Sequence, residues 1–188
     1  MSIGYHDWFI TKTPINLLVL FTVLLINFPV NNFKKASITL FFFLAGFLVE
    51  WVGVHYRFLF GAYDYGNNLG FKVDGIPPLI GINWALLILF TAVIAQHISS
   101  NIWFRAAIGA AFMVGLDFFI EPVAPLFDFW HWEIGHAPPQ NFIAWYGIAF
   151  LLHLVYAYSN IKGPLKFSLH LFVAQLVFFI YFFFYHGL

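Results

Sequence analysis

Apolar residues run along this chain in six stretches, each close to the length that crosses a lipid bilayer. The stretches cover residues 15–30, 36–56, 79–97, 102–120, 142–158 and 165–185. A membrane-spanning helix needs about 20 mainly apolar residues, because the hydrocarbon core is about 30 Å thick. The pattern therefore predicts an all-α protein, a polytopic integral membrane bundle of about six spans, in which residues 1–188 form a single transmembrane domain.

Composition supports a membrane location and excludes several other classes of protein. Hydrophobic residues make up 62% of the chain and charged residues only 9%, whereas a water-soluble domain carries about 25% charged residues. We therefore expect membrane lipid around the protein. The formal net charge is +0 and no basic run is present, so nucleic acid is not an expected partner. Cysteine is absent, which excludes disulfide and thiol chemistry.

Basic residues predict the orientation in the membrane. The loops after the first, third and fifth stretches carry Lys34, Lys35, Arg105, Lys162 and Lys166, five of the 8 basic residues. Cytoplasmic loops are enriched in lysine and arginine. We therefore expect these short loops in the cytoplasm and the longer polar loops on the outer side.

Two polar patches interrupt the apolar pattern, and each has the same order of residue types. A carboxylate is followed by an aromatic loop, a Pro-Pro pair, an asparagine and a tryptophan. The first patch contains Glu50, Tyr63, Tyr65, Pro77-Pro78, Asn83 and Trp84, and the second contains Asp117, Glu121, Trp130, Trp132, Pro138-Pro139, Asn141 and Trp145. The shared order suggests a parallel internal repeat about a two-fold axis along the membrane normal, with one polar site between the halves. Interfacial loops also attract glycine, proline and tryptophan without duplication, so both readings stay open.

The intramembrane carboxylates Glu50, Asp117 and Glu121 are the candidate catalytic residues. Charge at the centre of a spanning helix costs roughly 2.5–3.5 kcal/mol, so such residues are kept there for function. Asp117 and Glu121 are four residues apart and lie on one helix face. Because two adjacent charges cannot both ionise cheaply, one group is expected to stay protonated and to serve as a general acid. The alternatives are a wet, ionised Glu121 at the helix end and an ion pair of Glu50 with Arg57.

Aromatic side chains cluster with these acids and predict cationic chemistry. Tyrosine and tryptophan occur in the two polar patches, whereas the phenylalanine runs are typical of lipid-facing surface. A ring face stabilises a desolvated cation by about 2 kcal/mol. The candidate substrate-binding residues are Tyr63, Tyr65, Asn83, Trp84, Trp130, Trp132, Asn141 and Trp145. Acids beside aromatic walls indicate a reaction that passes through a carbocation.

A metal site is the rival use of the polar residues. His55, His131, His136 and His153 could converge with the carboxylates. However, no His-x-x-x-His or His-x-x-His pair is present, and there is no Glu-x-x-His motif of the di-iron bundle type. We therefore expect no metal.

The order and spacing of the motifs resemble those of the membrane-bound carotenoid 1,2-hydratases. This family includes the bisanhydrobacterioruberin hydratases and the gamma-carotene 1',2'-hydratases, and the resemblance covers roughly residues 45–160. The motifs that carry it are Glu50…Gly53, Gly61-x-Tyr63-x-Tyr65, Leu69-Gly70, Gly75-x-Pro77, Asn83-Trp84, Asp117-x-x-x-Glu121-Pro122, Trp130-x-Trp132 and Pro138…Asn141-x-x-x-Trp145.

The resemblance implies a hydro-lyase of carotenoid biosynthesis that needs no cofactor. Such enzymes add water across the terminal 1,2 double bond of an acyclic carotenoid end. The substrate would be a long apolar polyene that enters from the lipid, and other carotenoid-biosynthesis enzymes would be neighbours. Asp117 would protonate the end of the double bond, and Trp130, Trp132 and Tyr65 would lie against the tertiary cation. A water held by Glu50, Asn141 or Asn83 would then attack.

Three other classes remain open at this point. A carotenoid or isoprenoid cyclase uses the same protonation but captures the cation with an internal double bond in a dry pocket. A proton-coupled transporter would use Glu50, Asp117 and Glu121 as a relay, yet it needs polar groups in both leaflets. The polar residues are expected on one side only. A structural pigment-binding subunit would not need a doubled set of acids.

Overall fold

The computed structural model describes residues 8, 10–28 and 30–187, in which six helices and one short strand pair lie in chain order. The elements are α1 (Thr13–Asn27), α2 (Phe33–Tyr56), β1 (Tyr63–Tyr65), α3 (Pro78–Ile98), α4 (Ile102–Ile120), β2 (Trp130–Trp132), α5 (Pro139–Ser159) and α6 (Leu165–Tyr185). The prediction of an all-α helical bundle is confirmed.

Five of these helices, α2 to α6, are long and apolar enough to cross a membrane. The first predicted stretch instead forms α1, a shorter apolar helix of 15 residues. At 1.5 Å per residue it extends only about 22 Å, less than the hydrocarbon thickness of about 30 Å. The chain is thus a multi-pass membrane protein.

Capping residues and prolines define where the helices begin. The side chains of Asn32 and Asn101 accept hydrogen bonds from the third backbone N–H of α2 and α4, each over 3.0 Å. The helices α3 and α5 begin at Pro78 and Pro139, whose missing N–H groups cost nothing in a first turn. Since α3 and α5 both begin at Pro-Pro pairs, the two polar patches enter the bundle in the same way.

Helix α3 is the centre of the bundle. Its residues 84–95 are all buried, as expected for a helix that is apolar on every side. The surrounding helices instead expose large apolar side chains, for example Leu48 (56% exposed), Ile143 (73%) and Val177 (58%). Apolar surface of this kind is suited to contact with lipid tails.

The strands β1 and β2 connect the two polar patches across the sequence. They pair antiparallel, with Tyr63 opposite Trp132 and Tyr65 opposite Trp130. Because side chains alternate along a strand, these four rings share the buried face while the middle residue of each strand is exposed. The strand pair is an addition to the predicted all-helical architecture, and the internal repeat stays a prediction.

Candidate functional site

The strand pair lies beside three carboxylates that are buried inside the protein. Glu50, Asp117 and Glu121 are 2%, 1% and 5% exposed. Glu50 belongs to α2 and Asp117 to α4, while Glu121 directly follows the end of α4. The alternative of a wet Glu121 at the helix end is therefore wrong.

Glu50 accepts three hydrogen bonds from aromatic side chains. The hydroxyls of Tyr63 and Tyr65 donate to Oε2 over 2.5 and 2.7 Å. The indole Nε1 of Trp84 donates to Oε1 over 2.8 Å. Both oxygens of this carboxyl group are thus held by donors from β1 and α3.

The tyrosines of β1 serve Glu50 as donors. Burial, followed by the neighbouring charge of Glu50, raises the pKa of Tyr63 and of Tyr65 well above its ordinary value. Both hydroxyls therefore keep their protons at neutral pH. A protonated hydroxyl beside a carboxylate stabilises that carboxylate by donating to it.

Glu121 has an equivalent set of three donors from the second patch. The indoles of Trp130 and Trp132 donate to Oε2 over 3.0 and 2.7 Å, and Nδ2 of Asn141 donates to Oε1 over 2.8 Å. Burial raises the pKa of Glu121, and the two indole donors oppose that rise. The strand pair thus presents tyrosines to one carboxyl group and tryptophans to the other.

Asp117 has a different environment from the other two acids. The one hydrogen bond that its carboxyl group receives from the described residues comes from Asn141 Nδ2, over a long 3.5 Å. The same amide nitrogen also binds Glu121, so Asn141 connects the two acids. Asp117 is left with few donors, although it is 1% exposed.

A small cavity of about 10 Å³ lies between Glu50 and Glu121. Its wall includes Asn141 and the rings of Trp130 and Trp145. A volume of roughly 10–15 Å³ holds one water molecule when two to four polar partners are present. Two carboxyl groups and an amide supply those partners here.

A larger cavity of about 280 Å³ adjoins the small one. Ile80, Trp130 and Trp145 belong to the walls of both cavities. Asp117 and Asn83 line the larger cavity, whereas Glu50 and Glu121 line the smaller. The remaining wall is mainly apolar and comes largely from α1, α3 and α6.

Close packing holds Trp84 in place beside Glu50. Its ring lies 4.2 Å from that of Trp145, centroid to centroid. On the α2 side, a Cβ atom added to Gly46 would lie only 2.3 Å from the Cβ of Trp84. Glycine at this position therefore allows α2 and α3 to approach closely enough for the Trp84 indole to reach Glu50.

Arg57 does not pair with Glu50, so that alternative is also wrong. Its guanidinium contacts Glu133 over 3.0 Å and Asp64 over 3.7 Å at the surface. Arg57 adopts a left-handed conformation at the end of α2, with a φ of 57°, which turns the chain away from the helix. The surface pairs connect the loops that carry β1 and β2.

In the described part of the chain, the histidines do not form a metal-binding cluster with the buried carboxylates. Within the described residues no group of three or more His, Cys, Asp or Glu side chains could hold a metal ion. His55 contacts Asp74 over 3.2 Å and His131 contacts Asp128 over 2.9 Å. His153 lies in α5, where its Nε2 contacts Thr91 Oγ1 over 2.8 Å.

Helices α1 and α6 also line the larger cavity, which was not predicted from the sequence. Gln175 of α6 lines this cavity, and its buried Nε2 has no hydrogen-bond partner within the described part of the chain. The sequence feature that could have indicated this contribution is Gln175, an amide within an apolar helix, because polar groups in membrane spans tend to mark binding sites.

Comparison with known proteins gives one match. Residues 13–188 match the family described as carotenoid biosynthesis protein, which is nearly the whole chain. No curated protein matches the chain. No solved structure matches it either.

Proposed function

The chain belongs to the carotenoid biosynthesis protein family, and we propose that within it the protein hydrates the acyclic end of a carotenoid. Water would add across the terminal 1,2 double bond to give a tertiary alcohol. One observation carries the proposal: a water-sized cavity with two carboxyl groups adjoins an apolar cavity that contains a third. The protein would work in the cell membrane of a prokaryote, beside other enzymes of carotenoid biosynthesis.

The larger cavity would bind the end group of the polyene. Its volume of about 280 Å³ is near the lower limit of roughly 300 Å³ for small-molecule pockets, so it suits an end group better than a whole carotenoid. The rest of the polyene would extend between α1 and α6 into the lipid. Binding from the lipid fits a chain whose peripheral helices expose apolar surface.

Asp117 would be the proton donor. It lies in the wall of the larger cavity, and from the described residues its carboxyl group receives only one long hydrogen bond. A carboxyl group with few donors, in apolar surroundings beside a second acid, is favoured in its neutral form. Proton transfer from Asp117 to C2 would form a C–H bond and leave a tertiary cation at C1.

Aromatic rings would stabilise this cation at the boundary between the cavities. Trp130 and Trp145 belong to both cavity walls, so their rings would lie beside both the end group and the water. An aromatic face attracts a desolvated cation by about 2 kcal/mol. Charge that develops at C1 would then lie between these rings and the carboxylates.

The attacking water would occupy the small cavity. Its oxygen would bond to C1, and its surplus proton would pass to an ionised carboxylate, for which Glu121 is the candidate because it also shares Asn141 with Asp117. Return of that proton to Asp117 restores the site, so the net reaction consumes one water. Glu50, held by three donors, would orient the water.

A cyclase would use the same protonation but needs no water at the cation. Two carboxyl groups and an amide line a cavity of one-water size, which suits a bound water that a cyclisation would not use. The polar lining of the small cavity therefore favours hydration over cyclisation.

The test uses membranes that contain this protein and lycopene, in deuterium oxide and separately in heavy-oxygen water. Hydration predicts a product that is heavier by one water, with an unchanged chromophore, one carbon-bound deuterium and one labelled oxygen. A product with a shortened chromophore and no added oxygen, which keeps the mass of lycopene in heavy-oxygen water, would mean cyclisation. Unchanged pigment, for lycopene and other acyclic-ended carotenoids alike, would argue against the proposal.

The acid assignment is tested with Asp117→Asn, which keeps the shape of the side chain but removes the proton. General acid catalysis contributes typically 10²–10⁴-fold, so activity should fall by about that factor. Asp64→Asn is the matched control, since Asp64 is an exposed acid on the outer face of β1. Full activity of the Asp117 variant would refute the assignment.

A further inference from the structure

A second polar cavity lies at the opposite end of the bundle from the carboxylates. It has a volume of about 100 Å³ and is formed where the α3–α4 and α5–α6 connections meet. Its polar lining includes Gln96, Arg105, Tyr156 and Lys162. Arg105 and Lys162 are among the basic residues that were expected on the cytoplasmic side, away from the longer polar loops.

The charge of this cavity is positive. Arg105 and Lys162 are in its lining, whereas no carboxylate is among the described residues that form its wall. The Nε of Arg105 donates to the carbonyl oxygen of Ser99 over 2.5 Å. This bond anchors the guanidinium and leaves its other nitrogens to bind a ligand.

Two buried donors in the same cavity have no partner in the described part of the protein. They are the hydroxyl of Tyr156, a residue only 2% exposed, and the amide nitrogen Nε2 of Gln96. Buried polar groups are nearly always hydrogen-bonded, so each orphan requires an explanation. An acceptor that enters the cavity would satisfy both.

We propose that this cavity binds a phosphate-bearing anion, either a lipid headgroup or free phosphate. The four groups all offer hydrogens to an acceptor, and a phosphate group has several acceptor oxygens together with negative charge. Arginine is especially suited to phosphate because its planar fork donates two hydrogen bonds. The volume is several times the roughly 10–15 Å³ that one water needs.

The position of the cavity agrees with such a ligand. It lies at the ends of helices long enough to span a membrane, where the headgroups of a surrounding bilayer would be. The inference does not depend on the proposed hydration, since it uses the other end of the bundle.

The experiment measures thermal unfolding of the purified protein in an uncharged detergent. One arm adds dioctanoyl phosphatidylglycerol against dioctanoylglycerol, which lacks phosphate, and the other adds inorganic phosphate against chloride at equal ionic strength. A saturable rise in unfolding temperature with the phosphate-bearing compound is expected. A rise in the lipid arm alone assigns a headgroup, and a rise with inorganic phosphate assigns a soluble anion. No rise in either arm would overturn the proposal.

Variants connect the effect to this cavity. Tyr156→Phe removes an unpartnered hydroxyl, so the free protein should stay folded, while the anion should bind about tenfold or more weakly because a charged hydrogen bond is lost. Arg105→Gln should weaken binding further. Lys166→Gln is the control, because it removes a cation from the same end of the bundle but outside the cavity. Equal binding by the wild type and the Tyr156 and Arg105 variants would contradict the assignment.

Discussion

The three hydrogen bonds to Glu50 predict what Glu50→Gln does to stability. The carboxyl group has two acceptor oxygens for Tyr63, Tyr65 and Trp84, whereas the amide has one oxygen and an NH₂ group. If the oxygen keeps both tyrosines, the Trp84 N–H faces the amide hydrogens. If the amide flips, the two hydroxyls lose their acceptor. At least one buried donor is unmatched in either orientation.

The magnitude follows from the burial of the site. An unsatisfied buried donor costs about 1–3 kcal/mol, and Trp84 is 0% exposed, so water cannot compensate. We therefore expect Glu50→Gln to lower the free energy of unfolding by at least about 1–3 kcal/mol, a large part of a typical total of roughly 5–15 kcal/mol.

Double-mutant cycles separate this mismatch from general damage. Glu50→Gln is combined with Trp84→Phe and, in a second cycle, with Tyr65→Phe. In the Glu50→Gln background one donor is already unmatched. Removing that donor with Trp84→Phe or Tyr65→Phe should therefore cost about 1–2 kcal/mol less than the same substitution costs in the wild type. The free energies are measured by reversible unfolding in mixed micelles. Trp103→Phe, at a residue that is 59% exposed, is the additive control. If both cycles are additive, the hydrogen-bond assignment at Glu50 is refuted.

Two further predictions concern packing and the loops. Gly46→Ala should destabilise the protein by roughly 1–3 kcal/mol through overpacking against Trp84 and should reduce activity. Gly115→Ala is the control, because no atom lies within 4 Å of the added Cβ, and it should be neutral or stabilising in thermal unfolding. Equal effects of the two substitutions would contradict the close α2–α3 contact. Hydrogen bonds from His131 and then from the Asn67 backbone lower the pKa of Asp128, so its contribution to stability is present above the ordinary pKa and is lost as pH falls through the lowered value. Unfolding temperatures measured across acidic pH should therefore fall less steeply in Asp128→Asn, and an unchanged acid limb would speak against this role.

The helices could be predicted because apolar length and proline position determine them locally. The prolines at 78 and 139 begin α3 and α5 within one residue or a few residues of the expected stretches. The first stretch was harder, because its hydrophobicity continues beyond the point where the helix ends at Asn27. Here hydrophobicity predicted an apolar helix correctly but not how far that helix runs.

The pairing of β1 with β2 could not be predicted from the sequence. It joins residues 63–65 to residues 130–132, and each strand has only three residues, too few to give a periodic signal. The register depends on how α2, α4 and the loops between them pack. For the same reason the sequence could identify Arg57 near Glu50 but could not show that it binds Glu133 instead.

Asp117 and Glu121 have different surroundings in the structure, which their spacing in the sequence did not predict. Four residues apart, they were expected on one helix face with one of them protonated, and in the structure Asp117 lines the apolar cavity while Glu121 lines the water-sized one. Glu121 follows α4 directly, one helical turn beyond Asp117, and there its carboxyl group receives the two indoles of β2. One acid is then poor in donors and the other rich, which favours different protonation states. A hydration needs that difference, because one group must give a proton to carbon while another accepts one from water.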